Sequence, residues 1–340
     1  MYRIFNLAQH SFSMAGQTGR KKQNRGEFIV TQLISEQTSG VFIIAATPFA
    51  DDGSIDFGSI DTLVEFYIEQ GVSGLTVLGM MGEANKLSAE EQLSVAKRFI
   101  DRVAGRVPII VGVSSAGLDN LVALSQRTMD FGAAGIMIAP TLGLGTDEKL
   151  MRYFDSVINA LGSKIPVCYQ DYPKTTNVHI SVDCLNKMIG MYPSLVMFKH
   201  EDCPGLAKLS QIRKSSDEDG VRRVSVLCGN GGLYLPQEMM RGADGAMTGF
   251  AFPEMLVQVV DMFSSGDVDG AEDLFDAYLP LARHEQQPGF GLAIRKETLR
   301  RRGAIACAHT RKPGPSASKT DLEELSRLMD RLEKRLEAMG

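Results

Sequence analysis

The sequence predicts an α/β fold: a closed parallel (β/α)8 TIM barrel with additional C-terminal helices. Three observations carry that expectation. Eight short runs rich in β-branched and apolar residues recur with starts about 20–35 residues apart and helix-periodic segments between them, the spacing of βα units. The runs are apolar on both faces, as strands covered by helices are. No Gly-x-Gly-x-x-Gly follows the first run, so the main mark of the competing open, doubly wound sheet is missing.

The runs, in order, are 41–47 (VFIIAAT), 74–78 (GLTVL), 108–113 (PIIVGV), 135–139 (GIMIA), 166–170 (PVCYQ), 195–199 (LVMFK), 224–228 (VSVLC) and 244–248 (DGAMT). Helical periodicity fills 56–71, 88–104, 117–132, 146–162, 181–191, 204–214, 233–242 and 253–265. In 88–104, Ser88 precedes Glu91 by three residues, a capping box, and Leu93, Ala96, Phe99, Ile100 and Val103 make one apolar stripe. Gly71, Gly132, Gly162 and Gly242 stand where such helices end. Three more helices are predicted at 267–286, 289–302 and 319–337; the last repeats Leu at 322, 325, 328, 332 and 336, opposite charges. That stripe is too short for sustained heptads, so it packs on this barrel or on a neighbouring subunit.

Residues 1–39 differ in kind. They carry Arg3, Arg20, Lys21, Lys22 and Arg25, with no acid before Glu27 and no signal-peptide core. They are expected to be a disordered extension; an organelle-targeting segment is the alternative, and Met14 is a second possible start. The chain therefore divides into 1–39, a barrel over 40–265, and a helical segment over 266–340.

Composition narrows the function classes. A net charge of −5 gives no reason to expect nucleic acid or an anionic membrane as partner. No apolar run approaches the roughly 18–20 residues that span a bilayer. The five cysteines (168, 184, 203, 228, 307) are odd in number and form no CxxC pair, which fits a reducing cytoplasm. The five histidines form no HExxH or Cys/His spacing, so no metal site is expected.

In such a barrel the chemistry sits at the C-terminal ends of the strands. The sixth run ends in Lys199, His200, Glu201 and Asp202. Strand side chains alternate, so Lys199 and Glu201 share one face while Phe198 and His200 share the other. An amine held among apolar side chains loses solvation of its ammonium form, and the neutral amine attacks carbonyls. The plain alternative is a strand-end lysine with its head in water. Strand two ends Gly79-Met80-Met81-Gly82-Glu83, where glycine-flanked backbone N–H groups can turn toward a carboxylate, or simply turn. Strand five ends Tyr169-Gln170-Asp171, and strand seven ends Cys228-Gly229-Asn230-Gly231-Gly232, each offering a polar group at the mouth.

These residues resemble the dihydrodipicolinate synthase/N-acetylneuraminate lyase superfamily of class I, Schiff-base lyases. The resemblance runs from Gly40 to about Pro315. It rests on Ala46-Thr47-Pro48-Phe49 with Asp52-Gly53 and Asp56, and on Gly79…Gly82-Glu83…Leu87-Ser88-x-Glu90-Glu91. Arg106-Val107-Pro108…Gly112-Val113, Lys199 in its strand, and Gly242-Ala243-Asp244-Gly245 complete it. It implies that Lys199 forms an imine with a 2-oxo acid, that no cofactor is needed, and that the chain is a homo-oligomer, a tetramer or a dimer.

The departures from the family pattern bear on the reaction. The family's two threonines in Gly-Thr-Thr-Gly-Glu are Met80 and Met81 here, and its Pro-Tyr-Tyr becomes Pro140-Thr141-Leu142. Its catalytic tyrosine falls on Gln170, with Tyr169 one residue off and facing the helices by alternation; its substrate-clamping arginine matches Thr175, beside Lys174. Gln170-Asp171, Phe198-Lys199-x-Glu201, Gly245-Ala246-Met247-Thr248-Gly249, Tyr278-Leu279-Pro280-Leu281 with His284-Glu285, and Lys296 are instead similar to the 2-keto-3-deoxyarabonate dehydratase branch.

The expected activity is dehydration or aldol cleavage of a 2-keto-3-deoxy sugar acid, with Lys199, Glu201 and Gln170 catalytic. Met80, Met81, Gly82, Asn230, Met247 and Thr248 are expected to bind substrate. The alternatives are a 4-hydroxy-tetrahydrodipicolinate synthase, using pyruvate and aspartate semialdehyde, and a barrel that binds a 2-oxo acid without catalysis.

Overall fold

Eight parallel strands close in sequence order, each hydrogen-bonded to the next and the last to the first. The computed structural model describes residues 32–339. The strands are β1 Gly40–Ile44, β2 Gly74–Val77, β3 Ile109–Gly112, β4 Gly135–Ile138, β5 Val167–Asp171, β6 Leu195–His200, β7 Ser225–Cys228 and β8 Gly245–Ala246. Around them run α1 Phe57–Glu69, α2 Ala89–Val103, α3 Leu118–Asp130, α4 Asp147–Leu161, the one-turn α5 Pro173–Thr176, α6 Val182–Met191, α7 Leu206–Asp217 and α8 Leu235–Met240. Then follow α9 Pro253–Ser265, α10 Val268–Glu285, α11 Gly291–Arg301 and α12 Lys319–Met339. The capping box at α2 forms as its spacing requires: Glu91 N–H donates to Ser88 Oγ, and Ser88 N–H donates to Glu91 Oε2 at 2.9 Å.

Strand alternation sorts the apolar side chains into two cores. Phe42, Ile44, Ile110, Met137, Cys168, Met197, Leu227 and Met247 point inward and fill the barrel. Their neighbours in sequence point outward and pack under the helices, Tyr169 and Phe198 among them. The eighth strand is shorter than predicted, ending at Ala246 rather than at 248. Beyond it the chain keeps two single bonds, Met247 N–H to Cys228 O and Ile44 N–H to Thr248 O.

The expectation of disorder over 1–39 needs correction for its last eight residues; residues 1–31 lie outside the described residues. Ile34 is buried beneath the inner core, and its N–H donates to Ala134 O at 3.0 Å at the start of β4. Arg222 reaches Glu36 at 2.6 Å, and Ser225 donates to Thr38 O at 2.6 Å. This segment closes the lower end of the barrel because an apolar plug there covers side chains that water would otherwise reach.

The helical segment after residue 265 packs against the barrel's own helices. α10 packs against α9, and α12 lies on α10 and α11. Arg302 pairs with Glu254 at 2.7 Å, Thr62 donates to Ala304 O, and Arg311 pairs with Glu91 at 2.7 Å. Of the two packings open to α12, the structure shows the one on this chain's own helices, through buried Leu325 and Leu332. Among the described residues no helix is long and apolar enough to cross a membrane, and no group of three or more His, Cys, Asp or Glu gathers to hold a metal ion.

Candidate active site

Two residues above Met197 in the inner core, Lys199 occupies the next inward position of β6, at the barrel's mouth. It is 4% exposed, so its head is not in bulk water. Its Nζ lies 2.9 Å from Glu201 Oε2, and Glu201 is buried too. The register of β5 with β6 sets Gln170 directly beside Lys199, and Gln170 Nε2 donates to the same Glu201 oxygen at 2.7 Å. The loop after β7 holds the glutamate from the other side. Asn230 Nδ2 donates to Glu201 O at 3.0 Å, and the Asn230 N–H approaches Oε1 at 3.5 Å. One carboxylate thus holds the amine, fixed by groups from three strand ends.

Lys199, Glu201, Gln170, Asn230, Thr248, Met80 and Met81 all line one cavity of about 540 Å³. Thr248 Oγ1 accepts the Gly231 N–H at 2.7 Å, which pins the loop after β7 to the end of β8. Two expected substrate contacts do not reach this cavity. Gly82 ends the tight turn Met80–Gly82, which rotates it away from the mouth; its carbonyl instead accepts Thr47 Oγ1 at 2.6 Å. Met247 does point inward but lies one layer too deep, fully buried with Met197 and Leu227.

Tyr169, displaced from the family's tyrosine position, faces the helices: its ring stacks on Phe198 with centroids 5.6 Å apart. Tyr172, just past β5, lines the cavity instead, as does Thr175. Burial pushes the Tyr172 phenol up, with the nearby Glu201 carboxylate adding to the rise. Sequence reasoning singled out neither Tyr172 nor Gln286 nor Arg295, all of which line the cavity. Arg295 comes from α11, whose charged GLAIRKETLRR reads as a solvated face, and it is nevertheless 1% exposed. A usable signal was the glycine at 249: a Cβ there would sit 2.5 Å from Arg295 Nη1.

The other buried charges lie outside the cavity. Lys296, one of the residues carrying the resemblance, donates to Glu83 Oε1 at 2.6 Å and to the carbonyls of Thr47 and His309. Asp171 points to the helix side of the sheet, where burial pushes its carboxyl up to about 7 against the pull of Lys208 at 2.6 Å.

Fold and site together define a (β/α)8 barrel with a buried lysine–glutamate pair at the face where such barrels carry their chemistry. The chain belongs to the Dihydrodipicolinate synthetase family, whose model matches residues 37–332. It is 29% identical over 298 residues to the L-2-keto-3-deoxyarabonate dehydratase of Azospirillum brasilense, covering 86% of this chain and 94% of that one. It is 30% identical over 307 residues to the 4-hydroxy-tetrahydrodipicolinate synthase of Sorangium cellulosum, covering 88% of this chain and 98% of that one. A crystal structure of a dihydrodipicolinate synthase from Rhodopseudomonas palustris superposes with a TM-score of 0.87 at 47% identity, covering 88% of this chain and all of that one. The protein is therefore an enzyme of this lyase family, which removes the non-catalytic barrel from the alternatives.

Proposed function

We propose that Lys199 forms a Schiff base with a 2-oxo acid and that the enzyme dehydrates, or cleaves by retro-aldol reaction, a 2-keto-3-deoxy sugar acid. The observation that carries this reading is the buried Lys199–Glu201 pair, 2.9 Å apart, on the wall of the cavity. The amine adds to the C2 carbonyl and water leaves, giving a protonated imine. That imine withdraws electrons, so a proton on C3 becomes acidic. Glu201, one strand repeat from Lys199, accepts it and returns it to the departing C4 hydroxyl; C–H and C–O bonds break, a C3–C4 double bond forms, and water leaves. A second water hydrolyses the imine and frees Lys199. Gln170 holds Glu201 in place and carries no proton itself.

A second reading, 4-hydroxy-tetrahydrodipicolinate synthase, is favoured by the 47% identical structure bearing that synthase's older name. Against it stand Met80 and Met81 on the cavity wall where the family's hydroxyl pair is expected, and Thr175 at the arginine position. Parallel assays separate the two. Release of water or pyruvate from a 2-keto-3-deoxy sugar acid is expected, with little consumption of pyruvate plus aspartate semialdehyde. Robust turnover of the latter pair, with none of the former, overturns the assignment. The same reading expects a homo-oligomer, a dimer or a tetramer; a monomer mass by sedimentation equilibrium removes that part.

A further inference from the structure

Behind the catalytic strand ends stands a second polar cluster that the chemistry above does not use. Alternation puts Gln170, Lys199 and Glu201 in the cavity, and it turns Asp171 and His200 to the helix side, both buried. His200 Nε2 meets the Gly205 carbonyl at 3.0 Å. A carbonyl only accepts, so in the neutral ring Nε2 carries the hydrogen and Nδ1 the lone pair. Among the described residues neither Nδ1 nor Asp171 Oδ1 has a hydrogen-bond partner, and Nδ1 lies 3.9 Å from Asp171 Oδ2. Two buried acceptors thus face each other with no hydrogen between them, an arrangement that costs stability.

Charge points the same way. Lys208 Nζ, from α7, donates to Asp171 Oδ2 at 2.6 Å and to Asp202 Oδ2 at 3.1 Å. One ammonium serves two carboxylates, so one negative charge is left over beside a buried carboxyl. A single proton cancels it and supplies the missing donor. Burial pushes Asp171 up to about 7 and pulls His200 down, so that proton rests on Asp171 and faces Nδ1. The other groups that bear on Asp171 are Asp202 and Glu201, beyond β6, and Tyr169, one strand repeat below it on β5. Cys184 of α6, with Asp147 and Tyr153 of α4, bears on Tyr169 in turn. Backbone and field tie this cluster to the cavity. Asp171 O accepts the Glu201 N–H at 2.9 Å, and His200 O accepts the Gly229 N–H at 2.8 Å, at the root of the loop whose Asn230 holds Glu201. The Glu201 carboxylate also raises Asp171, and that repulsion is mutual.

We propose that Asp171 and His200 share one buried proton, and that through it Asp171 is a positioning residue for the Lys199–Glu201 pair. Losing the proton breaks the bond between Asp171 and His200 and sets a second negative charge behind Glu201, so turnover falls. The shared proton holds whatever the substrate is; its effect on turnover rests on the proposed function, in which Lys199 and Glu201 are catalytic.

Histidine side-chain NMR against pH tests it, the His200 signal being assigned by its loss in His200→Gln. The wild-type signal shifts with a midpoint at about 7. Asp171→Asn removes that step, and Glu201→Gln, which takes away a repelling charge, moves it to lower pH. Above the midpoint kcat, on whichever assayed substrate turns over, falls about tenfold per pH unit, the slope of one essential proton. Asp171→Asn flattens that limb, whereas a merely structural role lowers kcat alike at every pH. His200→Gln, which keeps a donor and cannot titrate, flattens it too and serves if Asp171→Asn does not fold. The proposal is overturned by a wild-type signal without the step, or by a step that survives Asp171→Asn or ignores Glu201→Gln. An unchanged limb in the variants overturns it as well. The NMR titration needs no substrate and borohydride trapping of pyruvate reads the imine alone, so the two readings fail separately.

Discussion

Lys199 and Lys296 are both buried amines set against a buried glutamate, yet their surroundings differ in the respect that chemistry needs. Lys296 donates to Glu83 Oε1 at 2.6 Å, to Thr47 O at 2.8 Å and to His309 O at 2.9 Å, and lies 4.4 Å from the centre of the Phe49 ring. Those bonds use all three ammonium donors. Burial pulls Lys296 down, while Glu83 pulls it back up. Lys199 has one carboxylate partner and an open cavity beyond it. A lysine with every donor engaged and no room for a carbonyl is a strut: it ties the turn after β2 to the chain following α11. A lysine with one partner and open space beside it has the room a carbonyl needs, which is what the proposed imine requires of Lys199. Burial and pairing alone do not distinguish the two.

The largest expected effect follows from that contrast. Lys199→Ala lowers kcat by roughly 10⁴-fold or more, the scale seen when a covalent nucleophile is removed, with far-UV circular dichroism unchanged; steady-state kinetics on the keto-sugar acid checks it, and substantial residual turnover erases the distinction between the lysines. Next, Glu201→Gln keeps shape and loses the proton acceptor. It lowers kcat by roughly 10²–10⁴-fold while Lys199 still forms its adduct, measured by single-turnover kinetics beside mass spectrometry. Third, Lys296→Met leaves Glu83 as a buried charge held by Lys86 and the Arg311 N–H. Because those partners remain, it costs less than the about 3–5 kcal/mol of a fully unpaired buried charge in urea unfolding, with adduct formation at Lys199 retained in the folded fraction.

The smallest effect concerns Glu238, a buried carboxyl with no cationic partner among the described residues, where burial pushes the group up to about 8. The native state then keeps a proton that the unfolded chain gives up near 4.5. Stability from the neutral form is complete below about 4.5 and declines as pH rises toward 8. Asp171, raised to about 7, acts in the same direction, so the readout is a difference. Between pH 5 and 8, the melting temperature of Glu238→Gln falls less steeply than that of the wild type; parallel slopes mean that the buried carboxyl does not titrate there.

Much of this site was legible because strands have a period of two. Once Met197 is inward, Lys199 must be, and the neighbouring strand places Gln170 at the same height. Face is readable in that way, but depth and turn geometry are not. Met247 has the right face and lies a layer too low, and Gly82 is turned aside by a short helical turn whose direction no spacing reveals. Arg295 was hidden for another reason. A residue on a late helix reaches the barrel's interior only because of where that helix docks and because position 249 is empty, both tertiary facts. Ile34, a lone buried aliphatic in a polar stretch, gives no period to read.

Reduction by borohydride in the presence of pyruvate, followed by peptide mass mapping, tests the difference between the two amines most directly. The account predicts one reduced pyruvate adduct, on the peptide containing Lys199, absent from Lys199→Ala and never on Lys296. No adduct in the wild type, an adduct on Lys296, or one that persists in Lys199→Ala contradicts it.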